Sequence, residues 1–183
     1  MKSILFTTVF FFFLSLSVTG QEPLKYTEVI QIENIPKNEL YNRTHHWFTT
    51  QFKSSKDVIQ IDNKEEGEIV GKGNFKYIPK VVSGSEQIFG DIVFTVKVFL
   101  KDGRYKYEFT DFIHEPYGNE YGSKSMGIIT TEMDNPNPEP LAKGWSNKVW
   151  VDIKNQIDVK VSSLITSLKI GMNTKSESKN TDW

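Results

Sequence analysis

Hydrophobic and polar positions change period several times along this chain, and each change marks an element. Residues 4–18, ILFTTVFFFFLSLSV, form one mainly apolar run behind Lys2. Residues 25–32, KYTEVIQI, lie between Pro23 and Pro36 and are rich in β-formers, which predicts a first strand. From Pro36 the spacing becomes three and four. Leu40, Thr44, Trp47, Phe48, Gln51 and Phe52 share one face, with Tyr41 at its margin, which predicts a helix with an aromatic stripe. Pro36 suits the first turn, and Ile35 with Leu40 can close over the start as a hydrophobic staple. DVIQID (57–62) reads as the second strand, NKEEG as a turn and EIVGKGNFKYI (68–78) as the third strand.

Residues 91–113, DIVFTVKVFLKDGRYKYEFTDFI, carry the clearest local signal. Asp102-Gly103 between two alternating runs predicts a two-residue type I′ hairpin. Its register pairs Lys101 with Arg104, and then Leu100 with Tyr105, Val98 with Tyr107 and Val96 with Phe109 as a continuous apolar face. The other face pairs Phe99 with Lys106, Lys97 with Glu108, Thr95 with Thr110 and Val93 with Phe112. That mixture suits a sheet wet on one side. Asp111 falls on the apolar face opposite Phe94, so either a bulge turns it outward or it is buried and hydrogen-bonded.

A long irregular stretch follows at 116–144, with a short strand expected around 126–131. The last element is a helix on which Trp150, Ile153, Ile157, Val161, Leu164 and Leu168 recur at intervals of three and four. Ser146 is its expected N-cap and Gly171 its C′ glycine, giving roughly 37 Å of helix. Residues 172–183 read as a polar, disordered tail, and no internal repeat or second core is visible, which makes 21–171 a single domain.

Composition adds the compartment. Lys2, the apolar run and the small residues up to Gly20 read as a secretory signal at 1–20, cut between Gly20 and Gln21. The run is shorter than the roughly 20 apolar residues that a spanning helix needs. The expected location is therefore the periplasm or outside the cell, with no stable membrane anchor after cleavage. The chain has no cysteine, which excludes disulfides and thiolate metal sites, so packing must supply stability. With 22 basic and 23 acidic residues, it exerts no global pull on nucleic acid.

Few residues suggest chemistry. Gly67, Gly71 and Gly73 surround Lys72, but a phosphate loop needs its glycines between a strand and a helix, with a GK[ST] ending. Here they interrupt a strand, and Gly71 and Gly73 share the apolar face with Ile69 and Phe75. We read them as room for Trp47 or Phe48 of the first helix. Gly71→Val should then destabilise the fold. His45 and His46 are helical neighbours whose rings diverge, so no metal site is assigned and no cofactor is expected. His114 and Asp111 are the remaining acid/base candidates, each without an identifiable partner. Asn42-Arg43-Thr44 matches a glycosylation sequon but falls inside the helix. The best candidate surface is the wet sheet face and the loop rimming it: Lys72, Lys97, Phe99, Arg104, Lys106, Phe112, Tyr117 and Tyr121, joined by Lys76 and Lys101 and opposed by Glu68 and Glu108.

The stretches NELYNRTHHWF, SSKDVIQIDNKEEGEIVGKGNF and DIVFTVKVFLKDGRYKYEFTDFIHE, in that order, resemble the bacterial family of unknown function 4468, which has a TBP-like fold. The resemblance covers about residues 25–115 closely and the last helix loosely. It departs at Pro36, where a capping serine is common. It implies an exported α+β protein of order β-α-β-β-β-β-α, with a curved antiparallel sheet ordered 1-5-4-3-2 and both helices on one face. It implies no activity and no catalytic residues. The expected function is a non-enzymatic module holding a protein, peptide or glycan of the cell envelope. The alternatives are nucleic-acid binding by the basic face, which charge and compartment oppose, and an uncharacterised hydrolase.

Overall fold

The computed structural model describes residues 21–52, 58–81, 84–118, 120 and 122–174. Residues 1–20 with the leader, Tyr121, and residues 175–183 of the proposed tail lie outside the described residues. Pro23 and Pro36 bracket β1 (Tyr26–Gln31). Pro36 itself sits one position before α1 (Lys37–Gln51), in extended backbone, and its carbonyl accepts the N–H groups of Glu39 and Leu40. A ring that fixes φ near −65° places this carbonyl, and the Asp102 carboxylate accepts the Lys37 N–H at 2.7 Å. Strands β2 (Ile59–Asn63) and β3 (Glu68–Tyr77) follow, then a one-turn α2 (Ser85–Ile88) that the spacing did not signal. The hairpin is β4 (Gly90–Lys101) and β5 (Arg104–Pro116), and a two-residue β6 (Gly127–Ile128) follows. A 3₁₀ turn at Pro140–Ala142 leads into α3 (Lys143–Asn173).

All strand pairs are antiparallel, in the order β1-β5-β4-β3-β2, with β6 added beside β5 at Ile113 and His114. The sheet thus has six strands, where the family resemblance implied five. The hairpin keeps its expected register from Lys101↔Arg104 to Thr95↔Thr110 and then shifts, pairing Val93 with Ile113. Asp111 is the extra residue, at φ 56, in the left-handed region that a short polar side chain tolerates. It is exposed, so the outward alternative holds. The shift carries Phe112 to the opposite face. Phe112 is fully buried, stacked on Phe94 at 5.7 Å and edge-on to Tyr26 at 5.8 Å. Its assignment to the wet binding surface is therefore corrected.

Both long helices lie on the Gly71 side. A Cβ on Gly71 would sit 2.6 Å from Phe48 Cε1, and one on Gly73 would sit 2.7 Å from Phe52 Cε1. The strand glycines make room for Phe48 and Phe52, while Trp47 reaches α3 and donates from Nε1 to Ser167 Oγ at 2.9 Å. The stripe from Trp150 to Leu168 is buried as expected, extended by Val149 and Met172. Polar contacts pin α3 across the sheet. Tyr77 Oη donates to Asp152 at 2.9 Å, Tyr26 to Asp158, and Lys169 Nζ reaches Glu28 at 2.7 Å.

The ends of α3 differ from the sequence reading. Ser146 lies inside the helix, buried, and accepts from Asn135 Nδ2 at 2.6 Å. Gly171 continues the helix, because Met172 is buried and its carbonyl accepts from Arg43 Nη1 at 2.5 Å. That buried guanidinium faces the negative end of the helix dipole, a favourable site for a cation. It also bonds Glu39 at 2.8 Å. The described part of the loop at 116–144 is tied down: Trp150 Nε1 donates to Glu132 O, and Lys154 Nζ to Thr131 O and Glu132 O.

Candidate binding face of the sheet

With both helices on one side, alternation sends a fixed set of side chains to the other. From β3 these include Glu68, Lys72 and Lys76. From β4 come Thr95, Lys97, Phe99 and Lys101, and from β5 Arg104, Lys106 and Glu108. β1 contributes Val29, opposite Lys106 and 54% exposed, although strand alternation alone had not marked it as part of the surface. The placement became visible only once β1 paired with β5.

The charges are unevenly matched. Glu108 serves two cations, with Lys97 and Lys106 each at 3.5 Å. Such half-exposed pairs contribute only about 0–1 kcal/mol each. Lys106 also lies 5.7 Å from the centre of the Phe99 ring. Among the described residues, Lys101 and Arg104 have no ion-pair partner. Val29, Phe99, Lys101, Arg104, Tyr105 and Lys106 together line a shallow hollow of about 460 Å³ at the hairpin end of the face.

Tyr117 stands at the opposite end. Its ring meets Phe89 at 5.3 Å, its hydroxyl donates to Asp91 at 2.7 Å, and Lys76 lies over both rings. The bond to Asp91 raises the Tyr117 pKa above the usual phenol value. Phe99 lies eight residue steps beyond Asp91 along β4, roughly 26 Å of strand. The structure therefore joins Lys97, Phe99, Arg104 and Lys106 into one cluster, leaves Lys72 farther along the face, and puts Tyr117 at the far rim.

The acid/base candidates take other roles. His114 is buried: Nε2 lies 2.8 Å from Ile88 O, and Nδ1 accepts the Met126 N–H at 3.0 Å. Burial lowers its pKa, against the opposing effect of the bond to Ile88, so the ring is neutral with its proton on Nε2. Neither nitrogen is free for substrate. Asp111 is the bulge residue and projects to solvent. His46 is exposed, whereas His45 Nε2 lies 2.8 Å from Asp62, which also accepts from Tyr41. Partial burial pushes the Asp62 carboxyl up, but these two hydrogen bonds outweigh it and hold the pKa low. Among the described residues no cluster of three or more His, Cys, Asp or Glu side chains could hold a metal ion.

An antiparallel sheet in this order, with two long helices on one side, is an α+β architecture of the TBP-like class. Residues 26–115 match the family model described as a domain of unknown function (DUF4468) with TBP-like fold, and this segment is a domain of that family. It is similar to the crystal structure of a DUF4468 family protein from Bacteroides ovatus ATCC 8483, with a TM-score of 0.61 and 12% identity, over 85% of this chain and 90% of that one. A TBP-like protein from Parabacteroides distasonis ATCC 8503 is similar at a TM-score of 0.51 and 18% identity, over 80% and 93% of the two chains. No curated protein matches. At these identities the likeness concerns the fold, and the fold by itself does not specify a ligand.

Proposed function

We propose that this protein is an exported, non-enzymatic binding module that holds a partner from the cell envelope on its open sheet face. One observation carries the reading. The side of the sheet away from α1 and α3 presents the exposed cations Lys72, Lys101 and Arg104, and the exposed apolar Val29 lies on the same side. Charged and apolar groups left together on a rigid platform are what recognition of another molecule requires. Lys2 and the apolar run at 4–18 support export to the periplasm or beyond. No helix among the described residues is long and apolar enough to cross a membrane. Against the hydrolase alternative, both His114 nitrogens bond to backbone groups and Asp111 projects to solvent from the bulge. Nucleic-acid binding is opposed by Glu68 and Glu108 within the same face and by a net charge of −1.

The test is capture of envelope proteins and glycans on the immobilised full chain. Reversing Lys97→Glu together with Lys106→Glu should strip the retained partners from the column. An unchanged set of partners contradicts use of this face.

A further inference from the structure

The hollow at the hairpin end is more specific than the face around it. Its six lining residues offer two kinds of surface. Val29 and Phe99 are apolar, and the charged side chains Lys101, Arg104 and Lys106 are all donors. Lysine and arginine cannot accept a hydrogen bond, and among the described residues no side-chain carboxylate, carboxamide or aliphatic hydroxyl lines the hollow. The remaining polar group, the Tyr105 hydroxyl, is itself buried and turned away from water. A neutral sugar needs donors and acceptors in alternation and finds only half of them here.

Local charge points the same way. Around Phe99 stand four cations, Lys97, Lys101, Arg104 and Lys106, against two carboxylates, Glu68 and Glu108. Glu108 is already shared by Lys97 and Lys106, which leaves Lys101 and Arg104 for a ligand. Two available cations match a few carboxylates, whereas a phosphate backbone needs a longer positive track. The volume of about 460 Å³ lies in the usual range for a ligand site and suits one bulky side chain with its neighbours.

Resting on the open-face reading above, we infer that the hollow between Val29, Phe99, Arg104 and Lys106 docks an acidic peptide segment that carries an aromatic or aliphatic residue. The apolar side chain packs on Val29 and Phe99, and flanking carboxylates meet Lys101 and Arg104. Attraction to unpaired surface cations is screened by salt, so the affinity falls as ionic strength rises.

The experiment is a titration of the isotopically labelled full chain with the blocked hexapeptide Glu-Asp-Phe-Leu-Asp-Glu, followed by backbone amide NMR. Saturable shifts should centre on Val29, Phe99, Arg104 and Lys106. The double variant Lys101→Glu with Arg104→Glu, at two exposed positions, should keep its amide spectrum elsewhere and bind at least about tenfold more weakly. The same peptide with Gln and Asn in place of its acids should give no saturable shift. Equal binding by that neutral peptide overturns the acidic-ligand assignment. Tighter saturation of the same residues by a twelve-nucleotide oligothymidylate or by chitotetraose overturns the peptide assignment. If the Lys101 and Arg104 reversal is silent while the Lys97 and Lys106 reversal still strips envelope partners, the hollow is wrong and the face survives. If neither reversal has any effect, both readings fall.

Discussion

At Gly71 the lack of a side chain decides how closely α1 approaches the sheet. Phe48 occupies the space a Cβ would need, at 2.6 Å, and Val58 Cγ1 closes in at 3.2 Å. Both neighbours are apolar and sit in a packed layer, where overpacking typically costs about 1–3 kcal/mol. Gly71→Val should therefore lower the urea midpoint by an amount worth about 2–3 kcal/mol. An unchanged midpoint would show that α1 does not rest there. This contact was legible in the sequence, because glycines in a strand facing an aromatic helical stripe have few other uses. Phe112 was not legible. A single inserted residue flips every later side chain of a strand, and no short pattern announces the insertion. The one local sign was Asp111, a charge at a position that strict alternation assigned to the apolar face.

Among the elements, the hairpin was legible because its turn chemistry is local: Asp102-Gly103 confines the loop to two residues. Only Gly103 takes a positive φ, of 70, and Asp102 does not, so the turn is not the expected type I′, which needs both. The helix ends were not, because distant groups set them. Arg43 extends α3 past Gly171, and Asn135 holds Ser146 inside it. Likewise α2 is too short to leave a period, while the short strand expected around 126–131 forms only at Gly127–Ile128, and one side chain binds both regions to β5. His114 donates to Ile88 O at the end of α2 and accepts from Met126 N–H just before β6. It does so only when neutral. Its folded pKa lies below the usual 6.5, so the unfolded chain binds the proton first. This contribution is complete above about pH 6.5 and is lost as pH falls through that value towards the folded pKa. Urea unfolding at stepped pH should show the stability difference between wild type and His114→Gln shrinking from pH 7.5 to pH 5. At neutral pH the variant should be about 1–3 kcal/mol less stable, the cost of leaving a buried polar group unpaired. A pH-independent difference would mean that the ring does not titrate as described.

On the scale of the molecule, the defining property is a sheet covered by helices on one side and open on the other. Apolar periodicity predicted which side of β4 and β5 the helices cover, and it was right from Val96 to Leu100 and from Tyr105 to Phe109. It could not show that Val29 joins the other side, since that follows from the pairing of β1 with β5, elements about 75 residues apart. Nor could it show that Tyr117 and Arg104 lie at opposite ends of the face, which is a matter of strand length. The absence of cysteine allows a clean test. Single thiols introduced as Lys97→Cys and Val96→Cys stand on adjacent residues and opposite sides of the sheet. Their reaction rates with a thiol reagent, under native conditions and in urea, measure the claim directly. The thiol from Lys97→Cys should react almost as fast folded as unfolded, and that from Val96→Cys should be protected by several orders of magnitude until the protein unfolds. Protection at position 97, or equal reactivity at the two positions, would contradict a sheet with one covered side and one open side.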